Sequence, residues 1–196
     1  AEGDLFNSAE LRKSRRTIMN LGFFETIDLI PRPRGDDLID IDIEMKEKLT
    51  GAFSLGFGYS SEDQFSGQIR VAESNLFGRG QSLQLMAEYG SVRKSYSISF
   101  GEPAVFDSRY SFGFKIYDTS KEWDEYDHES VGGRLTFGRS IGEFYRGYLS
   151  LKHETVTVSN VDEDAGLIIK EQEGSATTNS VALTLTRDSR DNFFSP

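Results

Sequence analysis

The sequence predicts a mainly β fold, an antiparallel transmembrane β-barrel of about eight strands that follows a partial α+β module. Apolar side chains alternate with small or polar ones from about residue 49 to near the end of the chain. Each alternating segment is close to the roughly 9 to 11 residues that a tilted strand needs to cross a bilayer. Before that point the pattern is a helix and a hairpin. We therefore divide the chain into residues 1–48 and 49–196.

Composition permits a barrel and excludes a membrane helix. The chain has 196 residues, of which 37% are hydrophobic, which is enough for one ordinary domain. Its mean hydropathy is -0.46, and no run approaches the roughly 18 apolar residues of a transmembrane helix. Alternation lowers the apparent hydropathy of a barrel strand, so these values are compatible with a transmembrane barrel.

Charge and cysteine content narrow the possible partners. The formal net charge is -10, and no basic patch concentrates the lysines and arginines that phosphate binding needs, so nucleic acid is not expected as a partner. The absence of cysteine excludes disulfides and thiolate zinc sites. The chain begins without a basic and apolar leader, so we expect it to be a fragment or to have lost a signal peptide.

The first 48 residues predict one helix and one hairpin. Asn7 and Glu10 have the spacing of a capping box, which predicts a helix over residues 8–20. Phe23–Pro31 and Leu38–Lys46 alternate as strands on either side of a turn that contains proline and glycine. A helix and a hairpin bury little apolar surface by themselves. We interpret them as the last part of a small α+β domain.

Eight alternating segments follow. Residues 50–60 read T-G-A-F-S-L-G-F-G-Y-S, with aromatic and aliphatic side chains on one face and glycine, alanine and serine on the other. The seven further strands are expected near residues 64–73, 81–89, 95–100, 109–117, 131–137, 145–152 and 181–186. The two longest predicted connections, Asp118–Glu129 and about Val158–Thr178, follow the fifth and seventh strands. If residues 1–48 are periplasmic, both connections lie on the extracellular side, where barrel loops are longer.

Two segments of the chain read E-L-R-K-S-R-R-T-I-M-N-L-G-F-F-E-T-I-D-L and E-K-L-T-G-A-F-S-L-G-F-G-Y-S. They resemble the end of the last POTRA domain and the first barrel strand of one family, the BamA-like assembly factors of the bacterial outer membrane. E-S-N-L-F-G-R-G-Q resembles the first periplasmic turn, and T-R-D-S-R-D-N-F-F-S-P the stretch that closes strand eight. The resemblance implies the N-terminal half of a sixteen-stranded barrel in the outer membrane, with residues 1–48 in the periplasm.

The resemblance also implies a function and a site. It implies an insertase that folds β-barrel proteins through a lateral seam at the first barrel strand. Glycines at 51, 56 and 58 give that strand little side-chain packing, so its edge can open and pair with a client strand by β-augmentation. The candidate site is the backbone of Thr50, Gly51, Ala52, Phe53, Ser54, Leu55, Gly56, Phe57, Gly58 and Tyr59.

The partners expected from this interpretation are unfolded β-barrel clients, accessory assembly lipoproteins and the lipid bilayer. The basic face of the predicted helix (Arg12, Lys13, Arg15, Arg16) is either a solvated surface or a docking site for such a lipoprotein. The open edges of an isolated half-barrel also allow two copies to pair.

Other interpretations stay open at this point. The same alternation describes a soluble barrel or sandwich whose apolar face points inward. A polypeptide-translocating pore of the same superfamily is a second possibility, and a small self-closed outer-membrane barrel, including an enzyme, is a third.

Catalytic and metal sites find little support. The only histidines are His128 and His153, and no pattern places a nucleophile beside either. The acidic run at 162–164 lacks the ligand spacing of a calcium loop. We therefore expect no enzyme activity, no cofactor and no metal. Asp188, Arg190 and Asp191 form either a network in the barrel lumen or an exposed strand end.

Overall fold

The computed structural model describes residues 5–35, 38–61, 64–142 and 144–189. Two compact units divide the chain: the first contains the described residues up to Thr50 together with Ser189, and the second runs from Gly51 to Asp188. A two-stranded sheet belongs to the first unit and an eight-stranded sheet to the second. Within the described ranges, no helix has the length and apolar character needed to cross a membrane.

The first unit contains one helix and one hairpin, as predicted. Helix α1 spans Ser8–Met19, and the Oδ1 atom of its cap, Asn7, accepts a hydrogen bond from the Ala9 N–H at 2.9 Å. Strands β1 (Phe24–Arg34) and β2 (Leu38–Glu47) pair antiparallel. The predicted end of β1 at Pro31 is wrong, because the strand continues through Pro33. Proline is tolerated there since β1 is an edge strand, and an edge strand does not need every N–H for pairing.

The hairpin packs one face against α1. Ile27 of β1 is fully buried, and its carbonyl oxygen accepts a hydrogen bond from Arg15 Nε at 2.7 Å. On the other face, ion pairs join β1 to β2, including Arg32 to Asp42 at 2.5 Å. The apolar residues of β2 remain exposed (Ile39, Ile41, Ile43, Met45).

The second unit is an up-and-down meander of eight strands, and all eight predicted strands are present. They are β3 (Gly51–Ser60), β4 (Gln64–Leu76), β5 (Gln81–Gly90), β6 (Arg93–Glu102), β7 (Tyr110–Glu122), β8 (Asp127–Ile141), β9 (Tyr145–Ser159) and β10 (Gly174–Arg187). Each strand pairs antiparallel with the next in the chain. A single 3₁₀ turn (Val105–Asp107) and the one-turn helix α2 (Leu167–Lys170) lie in the connections.

Strands β7 to β10 are longer than the sequence predicted. The predicted loop Asp118–Glu129 is wrong: β7 continues to Glu122, β8 begins at Asp127, and the two strands stay in register between Asp118 and Glu122. The predicted loop at 158–178 shortens to 160–173 in the same way. The added residues 118–122 of β7 and 127–130 of β8 carry polar side chains on both faces, so they show no alternation. Only the connection at 160–173 is long, and the loop-length argument for orientation therefore depends on it alone.

The two faces of the large sheet differ as the alternation predicted. On β6, Ser95 and Ser97 are 6% and 7% exposed, whereas the alternate residues Tyr96 and Ile98 are 45% and 46% exposed. The small polar side chains therefore point to the covered side, here called the inner face, and the apolar ones to the outer face. A soluble barrel with its apolar face inward does not fit this arrangement.

Candidate functional site

Strand β3 is an open edge of the large sheet. It pairs with β4 in unbroken register, from Gly51 opposite Glu73 to Ser60 opposite Gln64. Among the described residues no strand pairs with its other side. Successive residues of an antiparallel strand direct their N–H and C=O groups to opposite neighbours. Half of the backbone groups of β3 therefore point away from β4, toward an unoccupied edge.

The predicted site coincides with this edge strand. Of the predicted positions 50–59, Thr50 precedes the strand, and the strand also includes Ser60. Every residue from Gly51 to Ser60 is exposed. The candidate site is therefore a ten-residue backbone edge with accessible side chains on both faces.

Side chains hold β3 weakly on its inner face. A Cβ atom added to Gly56 would find no heavy atom within 4 Å, and one added to Gly58 would meet only Ser66 Oγ at 3.6 Å. The glycines thus leave open space where larger side chains would contact β4. Gly51 lies on the outer face, where an added Cβ would be 3.0 Å from Glu73 Oε2.

The outer face of β3 makes somewhat more contact. The Phe57 and Phe65 rings are stacked with centroids 6.3 Å apart, and Phe57 also covers the site of the missing side chain at Gly67. Even so, Phe53 and Phe57 remain 68% and 69% exposed. Backbone hydrogen bonds to β4 therefore supply most of the cohesion of this strand.

The opposite edge of the sheet is β10. It pairs with β9 along its whole length, from Gly174 opposite Val158 to Arg187 opposite Tyr145, and every one of its residues is exposed. Val181 and Leu183 on its outer face are 70% and 84% exposed. The described sheet therefore ends in two unpaired edges and is not closed on itself.

The inner face holds a polar cluster that the sequence analysis missed. Glu154 of β9 accepts hydrogen bonds on Oε1 from Tyr117 Oη at 2.6 Å and from Ser130 Oγ at 3.1 Å. Lys152 Nζ donates to Glu154 Oε2 at 2.6 Å and neutralises the carboxylate. The residues belong to β7, β8 and β9, so the cluster links three strands. Only the register, which puts Tyr117, Gly132 and Glu154 in one row, reveals it.

No arrangement in the described ranges points to catalysis or metal binding. His153 Nδ1 lies 2.7 Å from Asn179 Oδ1 on the outer face. The described part of the chain contains no group of three potential metal ligands. Asp162 is used locally: its Oδ1 accepts from the Glu163 N–H, and its own N–H donates to the Glu125 carbonyl. Arg190 and Asp191 lie outside the described residues.

Comparison with known proteins places this sheet in a family. The outer membrane protein assembly factor BamA of Nitratidesulfovibrio vulgaris is 32% identical over 193 residues, which cover 97% of this chain and 24% of that protein. The protein of the same name in Neorickettsia risticii is 27% identical over 199 residues, covering 100% of this chain and 27% of that protein. The chain thus spans about a quarter of the length of these relatives.

A solved structure agrees with the fold. The crystal structure of BamA from Haemophilus ducreyi lacking POTRA domains 1-3 matches with a TM-score of 0.66 and 22% identity, over 94% of this chain and 38% of that one. The resemblance to BamA-like proteins is thus confirmed, and it supports an outer-membrane location, while the POTRA identity of residues 1–48 stays a prediction. Residues 75–196 match the model of the Omp85 superfamily domain, and the chain therefore belongs to the Omp85 superfamily.

Proposed function

We propose that this chain is part of a protein that folds and inserts β-barrel proteins into the bacterial outer membrane. Its relatives in Nitratidesulfovibrio and Neorickettsia are named outer membrane protein assembly factors, and the superfamily match supports the same role here. In this proposal the large sheet is the N-terminal half of the barrel wall, and residues 1–48 lie in the periplasm.

The proposed mechanism uses the open edge of β3 as a pairing surface. An unfolded client strand pairs with the outward backbone groups of β3, and this pairing starts the client's own sheet. Each backbone hydrogen bond contributes about 0.5–1.5 kcal/mol net, so a row of them holds a strand without reading its side chains. The glycines at 56 and 58 leave open space on the inner face, which allows β3 to shift toward a client. The step makes and breaks only hydrogen bonds, so the proposal includes no enzyme activity and no cofactor.

Accessory lipoproteins are proposed to dock on the basic face of α1. Arg15 is already used within the unit, because it donates to the Ile27 carbonyl and lies 3.6 Å from Asp28 Oδ1. Together with Arg15, the basic residues Arg12, Lys13 and Arg16 of the same helix form the proposed docking face. A small self-closed barrel is disfavoured, since β3 and β10 do not pair within the described residues.

Site-specific crosslinking in the full-length parent tests the use of this edge. A photo-crosslinking amino acid replaces Ser54 on β3, and a matched variant replaces Ser99 on β6. Both serines lie on the inner face, but Ser99 has a paired strand on each side. We expect client adducts at position 54 during assembly and none at position 99.

Two results would count against the mechanism. Equal adducts at both positions would indicate capture in the lumen rather than edge pairing. No adducts at position 54, in a protein that still assembles clients, would show that β3 is not the template.

A further inference from the structure

The outer face has a notch at the end of the sheet where β3 begins and β10 ends. Gly147 of β9 lies between Arg139 of β8 and Leu185 of β10 in the register. Gly147 lines an open depression of about 420 Å³, together with Phe137, Leu149, Leu183 and Leu185. A Cβ added to Gly147 would meet only Ile141 Cδ1, at 3.4 Å. The backbone thus has room for a side chain here, and a large residue at this position would fill part of the notch.

A cation lies at one end of this apolar notch. Arg139 lines it, with the guanidinium carbon 5.3 Å from the centroid of the Tyr110 ring. In the described part of the chain, no carboxylate lines the notch and Arg139 forms no ion pair. Arg187, the last residue of β10, is on the same outer face, one row nearer the strand ends. The charge near the notch is therefore positive.

The position of the notch indicates what can fill it. The apolar outer face ends near this row of the sheet, where Tyr110 and Tyr145 lie on β7 and β9. Tyrosines at such a boundary are typical of the aromatic girdle of a membrane barrel. Arginine at this depth keeps its guanidinium at the headgroup level while its stem lies along apolar surface. An apolar notch with a guanidinium at its boundary end complements a molecule with a hydrocarbon chain and an anionic head.

We propose that this notch binds one anionic phospholipid. An acyl chain lies over Gly147 against Leu149 and Leu183, and the phosphate accepts charge-assisted hydrogen bonds from Arg139. The lipid belongs to the leaflet at the end of the sheet where β3 begins. The inference rests on the proposed placement in the outer membrane, which makes that leaflet the periplasmic one.

Native mass spectrometry of the detergent-purified full-length parent, titrated with phosphatidylglycerol or phosphatidylcholine, tests the site. The wild type is expected to retain one phosphatidylglycerol more strongly than phosphatidylcholine. Arg139→Gln removes the phosphate contact and is expected to weaken phosphatidylglycerol binding about tenfold. Gly147→Leu fills the notch and is expected to weaken both lipids. Arg134→Gln is the matched control, because Arg134 lies on the same strand but on the inner face, and it should leave binding unchanged.

Heat-dependent gel mobility verifies that each variant is folded. Unchanged phosphatidylglycerol binding in folded Arg139→Gln and Gly147→Leu would overturn the proposal. Equal affinity of the wild type for the two lipids would also overturn it. So would displacement of the bound lipid by lipid A but not by phosphatidylglycerol. The result is distinguishable from failure of the proposed function: client crosslinking at position 54 can fail while the lipid still binds, and lipid binding can fail while crosslinking persists.

Discussion

Adjacent glycines on β8 illustrate how one residue decides local packing. Gly132 lies on the inner face beneath the Tyr117 ring, where an added Cβ would be 2.7 Å from Tyr117 Oη and 2.9 Å from the His153 carbonyl. Gly133 lies on the outer face, where an added Cβ would meet only Lys115 O, at 3.6 Å. Glycine is therefore required at the first position and dispensable at the second.

We expect Gly132→Ala to destabilise the full-length parent and Gly133→Ala to be nearly neutral. The first change displaces Tyr117 from Glu154 and overpacks three strands, a cost of about 1–3 kcal/mol. The second adds a methyl group in ordinary contact, and alanine slightly favours the folded state because it lowers the conformational entropy of the unfolded chain. Urea unfolding in lipid vesicles, followed by intrinsic fluorescence, measures both. Equal midpoints for the two variants would contradict the role assigned to Gly132.

Among the secondary-structure elements, α1 is linked to β1 by the side chain of Arg15. Arg15 Nε donates to the carbonyl of the buried Ile27. Arg12, one turn earlier on the helix, has no side-chain partner among the described residues. The two basic residues therefore differ in what they do for the first unit, although they look alike in the sequence.

Arg15→Met is expected to loosen α1 by about 1 kcal/mol, because methionine keeps the apolar stem but loses the donor to Ile27. Arg12→Met is the control and should have little effect on helix stability. Hydrogen exchange of the α1 amides in the full-length parent reports the difference. If Arg12→Met accelerated exchange as much as Arg15→Met, the Ile27 contact would not be what secures the helix.

The sequence predicted strands wherever burial on one face imposes alternation. It therefore located β3 to β6 closely, and it located the candidate edge to within one residue at each end. It missed the ends of β7 and β8 because Asp118–Glu122 and Asp127–Ser130 are polar on both faces and are ordered by pairing. The Glu154 cluster and the Gly147 notch were also missed. Both depend on register between strands, which single-strand periodicity does not specify.

At the scale of the whole molecule, the large sheet has two unpaired edges and an exposed apolar face. Val181 and Leu183 of β10 are more than two-thirds exposed, as is Phe57 of β3. An unpaired edge next to such a face is a template for another strand. The sheet by itself is therefore incomplete.

We expect the 196-residue chain, produced alone in detergent, to self-associate by pairing edge strands of two copies. Light scattering coupled to size-exclusion chromatography measures the protein mass within the micelle. A dimer is expected. Leu183→Pro in β10 should reduce the dimer fraction, because proline lacks the backbone N–H that edge pairing needs. A monomer at all protein concentrations would rule out this pairing.

The strand extensions of β7 to β10 have a consequence for immune recognition. The loop at 160–173 is tied to the β7–β8 turn, because the Asp162 N–H donates to the Glu125 carbonyl at 2.8 Å. In the proposed orientation this paired, polar tip protrudes from the cell. Antibodies raised against intact bacteria would then recognise a discontinuous epitope made of two hairpins, and they would fail to stain the same polypeptide on a denaturing blot.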